Sequence, residues 1–572
     1  MRYKLTGTNN TNNIIKTVLE NRGIEDYKYY LEVNTACRNS YQMLDNMDEA
    51  LALFYKHFQQ RNKILILMDN DVDGITSATT MYKYIKMLDS DYPVSIAVHQ
   101  NNKSHGLDSN DFAIDKDVRL LITPDAASND VEEHILLHEN NVDCICLDHH
   151  HISADTSRSP AIIVNNQASD DYTNKDCCGA SITLEFCRGL DELLWEEYAD
   201  ELMDLVAVGN VGDVMSLKNY ETKAIVTEGL NNIKNKMLKE IIKAQDFSMK
   251  GIVSPFTVAF YVAPLINAFI RSATFEEREL LVRAFCEDES ETFEYTKRGE
   301  SFPTEENIYE RVVRLMKSYK GKQDRTRDKA LKVLMQQAEK RKDDKVVIID
   351  ASGELDSAYT GLTAIKISET LNRPVLLVRE TNDGYAGSGR AFDYCPIEDF
   401  RALVEQCPVS TFAQGHAGAF GVGLSDIDQS RDWFNEQLKD VSFEKIYAVD
   451  FVVDASDIKI SWCQELNNYK NVFAHGVDEP LWTVKNLKIS NANAKIVGKN
   501  NDTVQIYDEE TGIKYVMFKC NESNEVFNWL NDSWNDEETT INVIGCLGIN
   551  EYQGICTAQV TIKESEISNE MV

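Results

Sequence analysis

The sequence contains no Cys-x-x-Cys pair, and its 572 residues hold an odd number of cysteines, thirteen. Cys177 and Cys178 are adjacent, which is a poor arrangement for an ordinary disulfide. This pattern argues against a secreted disulfide scaffold and indicates a reducing compartment in which thiols serve as small core residues. We therefore predict a cytoplasmic protein.

Long apolar segments are also missing. No run of about 18 apolar residues is present to span a membrane, and residues 1–7 have no apolar signal core. Hydrophobic residues still make up 43% of the chain, enough for a sizeable core, and the length suggests roughly three or four domains. We expect a soluble protein without membrane association.

Positive charge is scarce, because 59 Lys and Arg stand against 93 Asp and Glu, a net charge of −34. This balance excludes binding to nucleic acid through overall charge, so any such contact needs local basic surface or metal ions. Residues 311–345 hold thirteen Lys and Arg against five Asp and Glu, a local +8. This segment is either a solvated helix face or a track for a phosphate backbone.

Two patterns typical of buried strands end in clusters of acidic and imidazole side chains. Residues 63–68 run into Asp-Asn-Asp-Val-Asp-Gly at 69–74, and residues 143–147 run into Asp-His-His-His at 148–151. Alternate carboxylates in a partly desolvated cleft repel one another strongly, and a divalent cation removes that repulsion. The two motifs therefore indicate a metal-dependent hydrolase.

Strand patterns alternate with helical patterns between residues 63 and 165, which predicts an α/β fold with a parallel, doubly wound sheet. Ligands of such sheets bind beyond the C-terminal strand ends. Those ends carry Asp71, Asp73, His105, Asp125, Asp148, His149 and His150. Asp213 follows a helical pattern in a Gly-flanked stretch and is either a helix cap or a further carboxylate ligand.

The remaining segments add less chemistry. Residues 1–60 have a polar, helical pattern, and residues 220–345 look like a helical connector. A second α/β unit begins at residue 345, where glycines around Arg390 and His416 suggest a backbone that approaches an anion closely. From about residue 446, short strands at regular spacing indicate a small oligonucleotide-binding β-barrel, whose aromatic side chains either stack on bases or fill the core.

The donor types favour particular ions. Carboxylates and imidazoles without thiolate favour Mn²⁺ or Mg²⁺ over structural zinc. Four carboxylates are too many for one ion but suit two ions that share an aspartate, an arrangement that activates water for phosphoester hydrolysis. The candidate ligands are Asp71, Asp73, Asp125, His149 and Asp213, with Asp69, His150 and His105 nearby.

The motifs at 69–74 and 148–150 resemble the signatures of the DHH phosphoesterase superfamily. The order of later motifs is similar to that of its RecJ-like, single-strand-specific exonucleases. The further resembling segments are 165–167 with 178–180, 211–217, 263–268, 387–390 and 415–421. The resemblance covers most of residues 60–440 and, more loosely, the C-terminal strands.

The resemblance implies a set of site residues. The implied catalytic metal ligands are Asp71, Asp73, Asp125, His149, His150 and Asp213, with Asp125 bridging two ions. The implied substrate-phosphate contacts are Arg390, Ser388, His416, Gly415, Asn267 and His105. Asp69 and Asp148 would position these ligands without binding the ions themselves. The departures from the family pattern are Leu265, Ile270, Gln414 and His105, and none removes a metal ligand.

The resemblance also implies five parts. They are an N-terminal helical segment (1–60), a DHH catalytic domain (61–235), a helical connector (236–345), a DHH-associated phosphate-binding domain (346–445) and an OB-like nucleic-acid-binding β domain (446–572). The two α/β domains would flank a cleft too narrow for duplex. The implied protein is a monomer that uses two Mn²⁺ or Mg²⁺ ions to degrade single-stranded DNA from the 5′ end into 5′-mononucleotides. It would act in repair, recombination or replication, with a single-strand-binding protein or helicase as partner.

Two other functions remain open. The same chemistry could act on short RNA oligomers or cyclic dinucleotides, although such small substrates do not need the roughly 120 residues after position 446. The chain could instead be a scaffold that only binds DNA or replication proteins. Scaffolds of this type characteristically lose metal ligands, whereas this chain retains the whole set.

Overall fold

The computed structural model describes residues 1–102, 104–107, 111–297, 299, 301–355, 359–521, 524–532, 538–552 and 554–568. Two compact units are present. We call Ile24–Lys320 with Asn471–Asp478 the parallel-sheet unit, and Met1–Gly23, Gly321–Lys470 and Glu479–Val572 the mixed-sheet unit.

The strands are β1 Arg2–Leu5, β2 Lys63–Met68, β3 Val94–Val98, β4 Val118–Pro124, β5 Asp143–Asp148, β6 Ile162–Asn165, β7 Thr292–Tyr295, β8 Thr304–Asn307, β9 Val347–Asp350, β10 Val375–Thr381, β11 Gly384–Arg390, β12 Ser410–His416, β13 Ala419–Leu424, β14 Ile446–Val449, β15 Phe451–Asp454, β16 Trp482–Ile489, β17 Ala494–Val497, β18 Thr503–Asp508, β19 Ile513–Met517, β20 Thr539–Tyr552 and β21 Ile555–Ile567.

The α-helices are α1 Ile14–Asn21, α2 Tyr27–Leu31, α3 Met47–Gln59, α4 Val72–Leu88, α5 Val131–Glu139, α6 Gly179–Leu194, α7 Met203–Gly212, α8 Tyr220–Asn231, α9 Lys236–Met249, α10 Pro255–Thr257, α11 Ala263–Ile270, α12 Phe275–Phe285, α13 Ile308–Glu339, α14 Thr360–Leu371, α15 Phe400–Glu405, α16 Ile427–Gln437, α17 Ile460–Asn468 and α18 Glu525–Asn531.

The parallel-sheet unit is built on a five-stranded sheet of order β3-β2-β4-β5-β6, in which every neighbouring pair is parallel. The predicted α/β fold with a parallel sheet is therefore confirmed. Ile64 and Ile66 enter a large core on one face, while Leu65 and Leu67 enter a smaller core on the other. Burial on both faces explains why these strands are continuous apolar runs.

Strand order determines where this sheet can bind a ligand. The chain leaves β2 for β3 on one side and returns to β4 on the other side. The C-terminal ends of β2 and β4 therefore flank a topological switch point, which is where open α/β sheets bind ligands. Helix α4 begins directly after β2, and α6 and α7 both pack against it.

Part of the predicted helical connector differs from the prediction. The β7–β8 hairpin interrupts it, because Thr292–Tyr295 contains the β-forming residues Thr, Phe and Tyr. A π-helical turn, Val258–Val262, lies between α10 and α11. Such turns are rare and concentrate near functional sites. The rest of residues 220–345, predicted to be mostly helical, contains α8, α9, α10, α11, α12 and α13.

The mixed-sheet unit contains two larger sheets. One has the order β12-β13-β11-β10-β9, with only β9 and β10 parallel. The other is a seven-stranded mixed sheet of order β15-β16-β20-β21-β19-β18-β17. Its strands β20 and β21 have 14 and 13 residues, so the prediction of uniformly short strands was wrong there.

The first residues of the chain belong to the mixed-sheet unit. Strand β1 pairs in parallel with β14, with Arg2 opposite Ile446, although a helical pattern was predicted for this segment. Helix α1 is held to the same region by an ion pair between Arg22 and Asp450. Within the described ranges, no helix combines the length and apolar character needed to cross a membrane.

Candidate metal centre

The first motif places its carboxylates at the start of α4. Asp71 is the N-cap residue, and its side chain accepts a hydrogen bond from the Gly74 N–H at 2.9 Å. A Cβ atom at Gly74 would lie 2.4 Å from the Asp69 carbonyl oxygen. Glycine is therefore required for the chain to turn from β2 into α4 with these carboxylates on one side.

Asp73 faces the N-terminus of α6. Its Oδ2 accepts from the Gly179 N–H at 2.6 Å, and its Oδ1 accepts from the Ala180 N–H at 3.0 Å. A Cβ atom at Gly179 would lie 2.5 Å from Asp125 Cα, so only glycine lets α6 start this close to the end of β4. These two bonds anchor the Asp73 side chain to the N-terminal turn of α6.

Asp125 follows β4 with a left-handed backbone, φ 69°. Its N–H donates to the Leu147 carbonyl at 2.8 Å, which ties the ends of β4 and β5 together. Val214, next to Asp213, is also left-handed, with φ 59°. This conformation is strained for a β-branched residue, and such strain is concentrated at functional sites.

Asp148 organises the turn that follows β5. Its carboxylate accepts from the His149 N–H at 2.7 Å and the Ser128 N–H at 3.1 Å, and it bonds His150 Nδ1 at 2.8 Å. Asn165 donates from Nδ2 to the His150 carbonyl at 2.9 Å. Because Asp148 occupies Nδ1 of His150, the other ring nitrogen is left for a ligand.

His149 Nε2 is the centre of the cluster. It lies 3.2 Å from Asp125 Oδ1, 3.4 Å from Asp213 Oδ2 and 3.9 Å from Asp73 Oδ2. The nitrogen is buried and has no hydrogen-bond partner. A buried imidazole nitrogen that faces three carboxylates without a hydrogen bond is an arrangement that a shared cation satisfies.

Three overlapping sets of side chains each have their ligand atoms within 4.8 Å of one another. The sets are Asp69 with Asp71 and Asp125, Asp125 with His149 and His150, and Asp73 with His149 and Asp213. Asp125 and His149 each belong to two sets. This overlap provides donors for two neighbouring ions with a shared aspartate.

The electrostatics show why these carboxylates need a cation. Burial and the charges of Asp69 and Asp73 raise the pKa of Asp71 to about 6. Burial and the charge of Asp73 raise the pKa of Asp213 to about 8. Burial also lowers the pKa of His149, which keeps the imidazole neutral and able to coordinate a metal.

His105 lies beside this cluster, where the prediction placed a substrate contact. Its Nδ1 is 2.8 Å from Asp69 Oδ2, and its ring centroid is 4.9 Å from that of His150. The hydrogen bond to Asp69 raises the pKa of His105. The third histidine of the motif, His151, is exposed.

The other predicted phosphate contacts divide between the two units. Asn267 lies on α11 of the parallel-sheet unit, and its Oδ1 is buried without a hydrogen-bond partner. The others lie on β11 and β12 of the mixed-sheet unit: Ser388, Arg390, Gly415 and His416.

Strand register aligns the side chains of the mixed-sheet unit. Arg390 is opposite Ala419, which is opposite His416 on the next strand. Ser388 Oγ lies 3.0 Å from Thr360 Oγ1 at the first turn of α14. A Cβ atom at Gly361 would lie 2.4 Å from the Arg390 guanidinium, so Arg390 approaches the N-terminal turn of α14 closely. A helix start beside Arg and Ser is favourable for anions.

Sequence reasoning missed several supporting residues. Arg278 is fully buried, and it donates to Asn70 Oδ1 at 3.2 Å and to the Gln100 carbonyl at 2.7 Å. These contacts fix the segments that follow β2 and β3. Arg278 and Asn70 are 208 positions apart, so no local signal connects them. The role of Ser128 likewise depends on the folded turn after β5.

Fold and site together define an α/β protein with a carboxylate and imidazole metal centre at the switch point of a parallel sheet. Residues 63–210 match the model of the DHH family, N-terminal domain, and residues 449–564 match that of the RecJ OB domain. The chain is 35% identical over 577 residues to the SPbeta prophage-derived YorK of Bacillus subtilis (strain 168), provisionally named a single-strand DNA-specific exonuclease. That similarity covers 99% of this chain and 98% of YorK. The chain therefore belongs to the DHH family, in its RecJ-like branch.

Two more distant similarities agree with this membership. The chain is 24% identical to the single-stranded-DNA-specific exonuclease RecJ of Bacillus subtilis (strain 168), over 97% of this chain and 68% of that protein. The crystal structure of RecJ in complex with Mn²⁺ from Thermus thermophilus has a similar fold, with a TM-score of 0.72 and 20% identity. The fold similarity covers 97% of this chain and 76% of that structure.

Proposed function

We propose that this chain is a metal-dependent exonuclease that degrades single-stranded DNA from the 5′ end and releases 5′-mononucleotides. The observation that carries the proposal is the buried His149 Nε2, which faces Asp125 and Asp213 without a hydrogen-bond partner. The names of the relatives YorK and RecJ support single-stranded DNA as the substrate class.

The donor set fits two Mn²⁺ or Mg²⁺ ions, because it consists of carboxylate oxygens and imidazole nitrogens without thiolate. The RecJ structure from Thermus thermophilus contains Mn²⁺, which supports the same choice. The proposed ligands are Asp71, Asp73, Asp125, His149, His150 and Asp213. When bound, the two ions would supply an activated water and neutralise charge on the scissile phosphate.

Side chains of the protein would position the metal ligands and the substrate phosphate. Asp148 fixes the turn after β5, so that His149 points at Asp125. Burial opposes a positive charge on His150, but the hydrogen bond and charge of Asp148 outweigh it and raise the pKa of His150 to about 9. In the proposed complex, His150 would give up its Nε2 proton to coordinate an ion, and His105 would donate a hydrogen bond to a phosphate oxygen at the reaction site.

Residues outside the metal centre would hold the DNA strand. Arg390, Ser388 and His416 would bind phosphates at the start of α14, and Asn267 would add a contact from the parallel-sheet unit. The RecJ OB-domain match at 449–564 supports single-strand binding by the C-terminal sheet, because such domains combine a backbone-tracking groove with aromatic stacking. The basic segment at 311–345 would add a phosphate track.

The test uses purified protein, Mn²⁺ and oligonucleotides labelled at either end. We expect single strands to be digested, duplexes to resist, and labelled 5′-mononucleotide to appear first from the 5′ label. Asp125→Asn should be inactive, while Asp170→Asn, an exposed aspartate of the same unit, should match the unchanged protein. Equal digestion of duplex, attack from the 3′ end only, or faster turnover of dinucleotides would contradict the proposal. Unchanged activity of Asp125→Asn would favour a scaffold.

The cellular setting is part of the proposal. All thirteen cysteines are free thiols, which suits a reducing cytoplasm. We take the chain to act as a monomer in DNA repair, recombination or replication, with a single-strand-binding protein or a helicase as partner. The five-part division at residues 60, 235, 345 and 445 stays a prediction, which limited proteolysis can test.

A further inference from the structure

A second cluster of donor atoms lies on one side of β5, away from its C-terminal end. Cys144 and Cys146 enter the smaller core of the sheet, whereas Ile145 and Leu147 enter the larger one. His134 of α5 completes the cluster. Its Nε2 lies 3.4 Å from Cys146 Sγ, and the two Sγ atoms are 4.0 Å apart. All three ligand atoms lie within 4.8 Å of one another.

These separations are close to those around a bound metal. With metal–sulfur bonds of about 2.3 Å and metal–nitrogen bonds of about 2.0 Å, the donors of a tetrahedral ion are roughly 3.5–3.8 Å apart. One observed separation is slightly shorter than this range and the other slightly longer. The third separation, between His134 and Cys144, is at most 4.8 Å, so side-chain rotations would bring all three donors around one ion.

His134 also makes the outer hydrogen bond that metal-binding histidines usually make. His134 Nδ1 lies 2.9 Å from Ser159 Oγ, so a proton on Nδ1 can be donated to the hydroxyl. This tautomer leaves the Nε2 lone pair facing the two sulfur atoms. An outer hydrogen bond of this kind fixes both the ring orientation and the tautomer of a ligating histidine.

Charge balance points to a divalent ion. All three side chains are buried, so an uncompensated charge among them would be costly. Two thiolates with a neutral imidazole would together offset a double positive charge. A bound divalent ion would thus leave no net charge in the apolar core.

We propose that His134, Cys144 and Cys146 form a zinc site, separate from the catalytic centre, that ties α5 to β5. Thiolate donors select zinc, whereas the carboxylate centre at the strand end suits Mn²⁺ or Mg²⁺. Among the described residues, no fourth side chain of these donor types joins the set. The fourth position is open to a main-chain oxygen such as that of Ala127, which lies 4.0 Å from Cys146 Sγ.

The first test needs no variant of the cluster. Full-length protein carrying Asp125→Asn, which weakens the carboxylate centre, is loaded with Zn²⁺ alone, dialysed and measured by zinc X-ray absorption. We expect one retained zinc per chain, with two sulfur neighbours. Zinc surrounded only by nitrogen and oxygen, or no retained zinc, would overturn the proposal.

The second test assigns the sulfur atoms. Cys146→Ala in the same background should lose the retained zinc, while Cys187→Ala, a buried cysteine of the same unit on α6, should keep it. Replacing Zn²⁺ with Co²⁺ should give a thiolate charge-transfer absorption that is absent from Cys146→Ala. Equal zinc in the two variants, with both folded by circular dichroism, would contradict the assignment.

Discussion

The parallel-sheet unit and the mixed-sheet unit bring their proposed functional side chains together in different ways. In the parallel-sheet unit, Asp71 and Asp125 meet because parallel strands deliver their C-terminal ends to one edge. Asp213 joins the cluster from the C-terminal end of α7. In the mixed-sheet unit, Arg390 and His416 align because antiparallel register places both opposite Ala419. Topology alone predicts the first kind of site, whereas the second kind also requires the register.

The proposed function gives the chemistry to the first sheet and the binding of the DNA strand to the second. Replacing a shared metal ligand should therefore have the largest effect. Asp125→Asn removes one carboxylate charge from two of the three donor sets. We expect kcat/KM on single-stranded DNA to fall on the order of 10³-fold or more, about 4 kcal/mol of transition-state stabilisation. Steady-state kinetics in Mn²⁺ measure this, with Asp170→Asn as control. A loss of kcat/KM below tenfold would contradict the role of Asp125 as a shared metal ligand.

The next effect tests the positioning role of Asp148. Asp148→Asn keeps the size of the side chain but weakens its hold on His150 Nδ1 and on the turn. We expect metal affinity to fall roughly 10- to 100-fold, as for other outer partners of metal-binding histidines. Activity should recover at high Mn²⁺. Titration of Mn²⁺ against activity separates this outcome from a loss of kcat that no metal concentration restores.

Arg390 tests the second sheet. Arg390→Ala should raise KM for single strands about tenfold, since a charge-assisted hydrogen bond is worth about 1.5–3 kcal/mol. Binding of Mn²⁺ should be unchanged, because Arg390 is a cation and belongs to none of the three donor sets. Arg379→Ala, on β10 of the same sheet, serves as the matched control. If Arg390→Ala altered Mn²⁺ affinity instead of KM, the division of roles between the sheets would be wrong.

The smallest expected effect concerns stability and pH. In the metal-free protein, the pKa values of Asp71 and Asp213 are raised to about 6 and about 8. The folded state then holds protons that the unfolded state has released, so these groups make stability fall as pH rises from about 4 to about 8. Thermal unfolding should show this fall, and saturating Mn²⁺ should reduce it.

A pair of matched variants separates the effect of these carboxyl groups on stability from the effect of the chain's large negative net charge. Asp213→Asn removes one of the carboxyl groups whose pKa is raised and should flatten the pH dependence of the metal-free protein. Asp170→Asn changes the same formal charge at an exposed site and should leave the slope as it was. Identical slopes for both variants would show that overall charge repulsion, rather than the cluster, controls stability.

Much of the metal centre could be predicted from sequence, because most of its ligands follow the C-terminal ends of strands. Asp213 is the exception, since it lies at the C-terminal end of α7. The apolar runs before Asp71 and His149 identify buried parallel strands, and their C-terminal ends must share one edge. Contacts that form only through tertiary packing could not be predicted from the sequence. The contact of Arg278 with Asn70, the pairing of β1 with β14, and the backbone amides on Asp73 all join distant segments.

The second cluster illustrates the same limit on a smaller scale. The alternation of Cys144 and Cys146 on a strand is visible in the sequence, and by itself it indicates core packing. Only the placement of α5 on the sheet brings His134 to within 3.4 Å of Cys146 Sγ. Strand periodicity shows that the two thiols share a face, but it does not show which helix covers them.

The most direct measurement is anomalous scattering from crystals of the protein grown in Mn²⁺. The account predicts two peaks roughly 3.5–4 Å apart, one of them within bonding distance of both Asp125 and His149. Crystals that diffract well but show no manganese peak beside these two residues would contradict it.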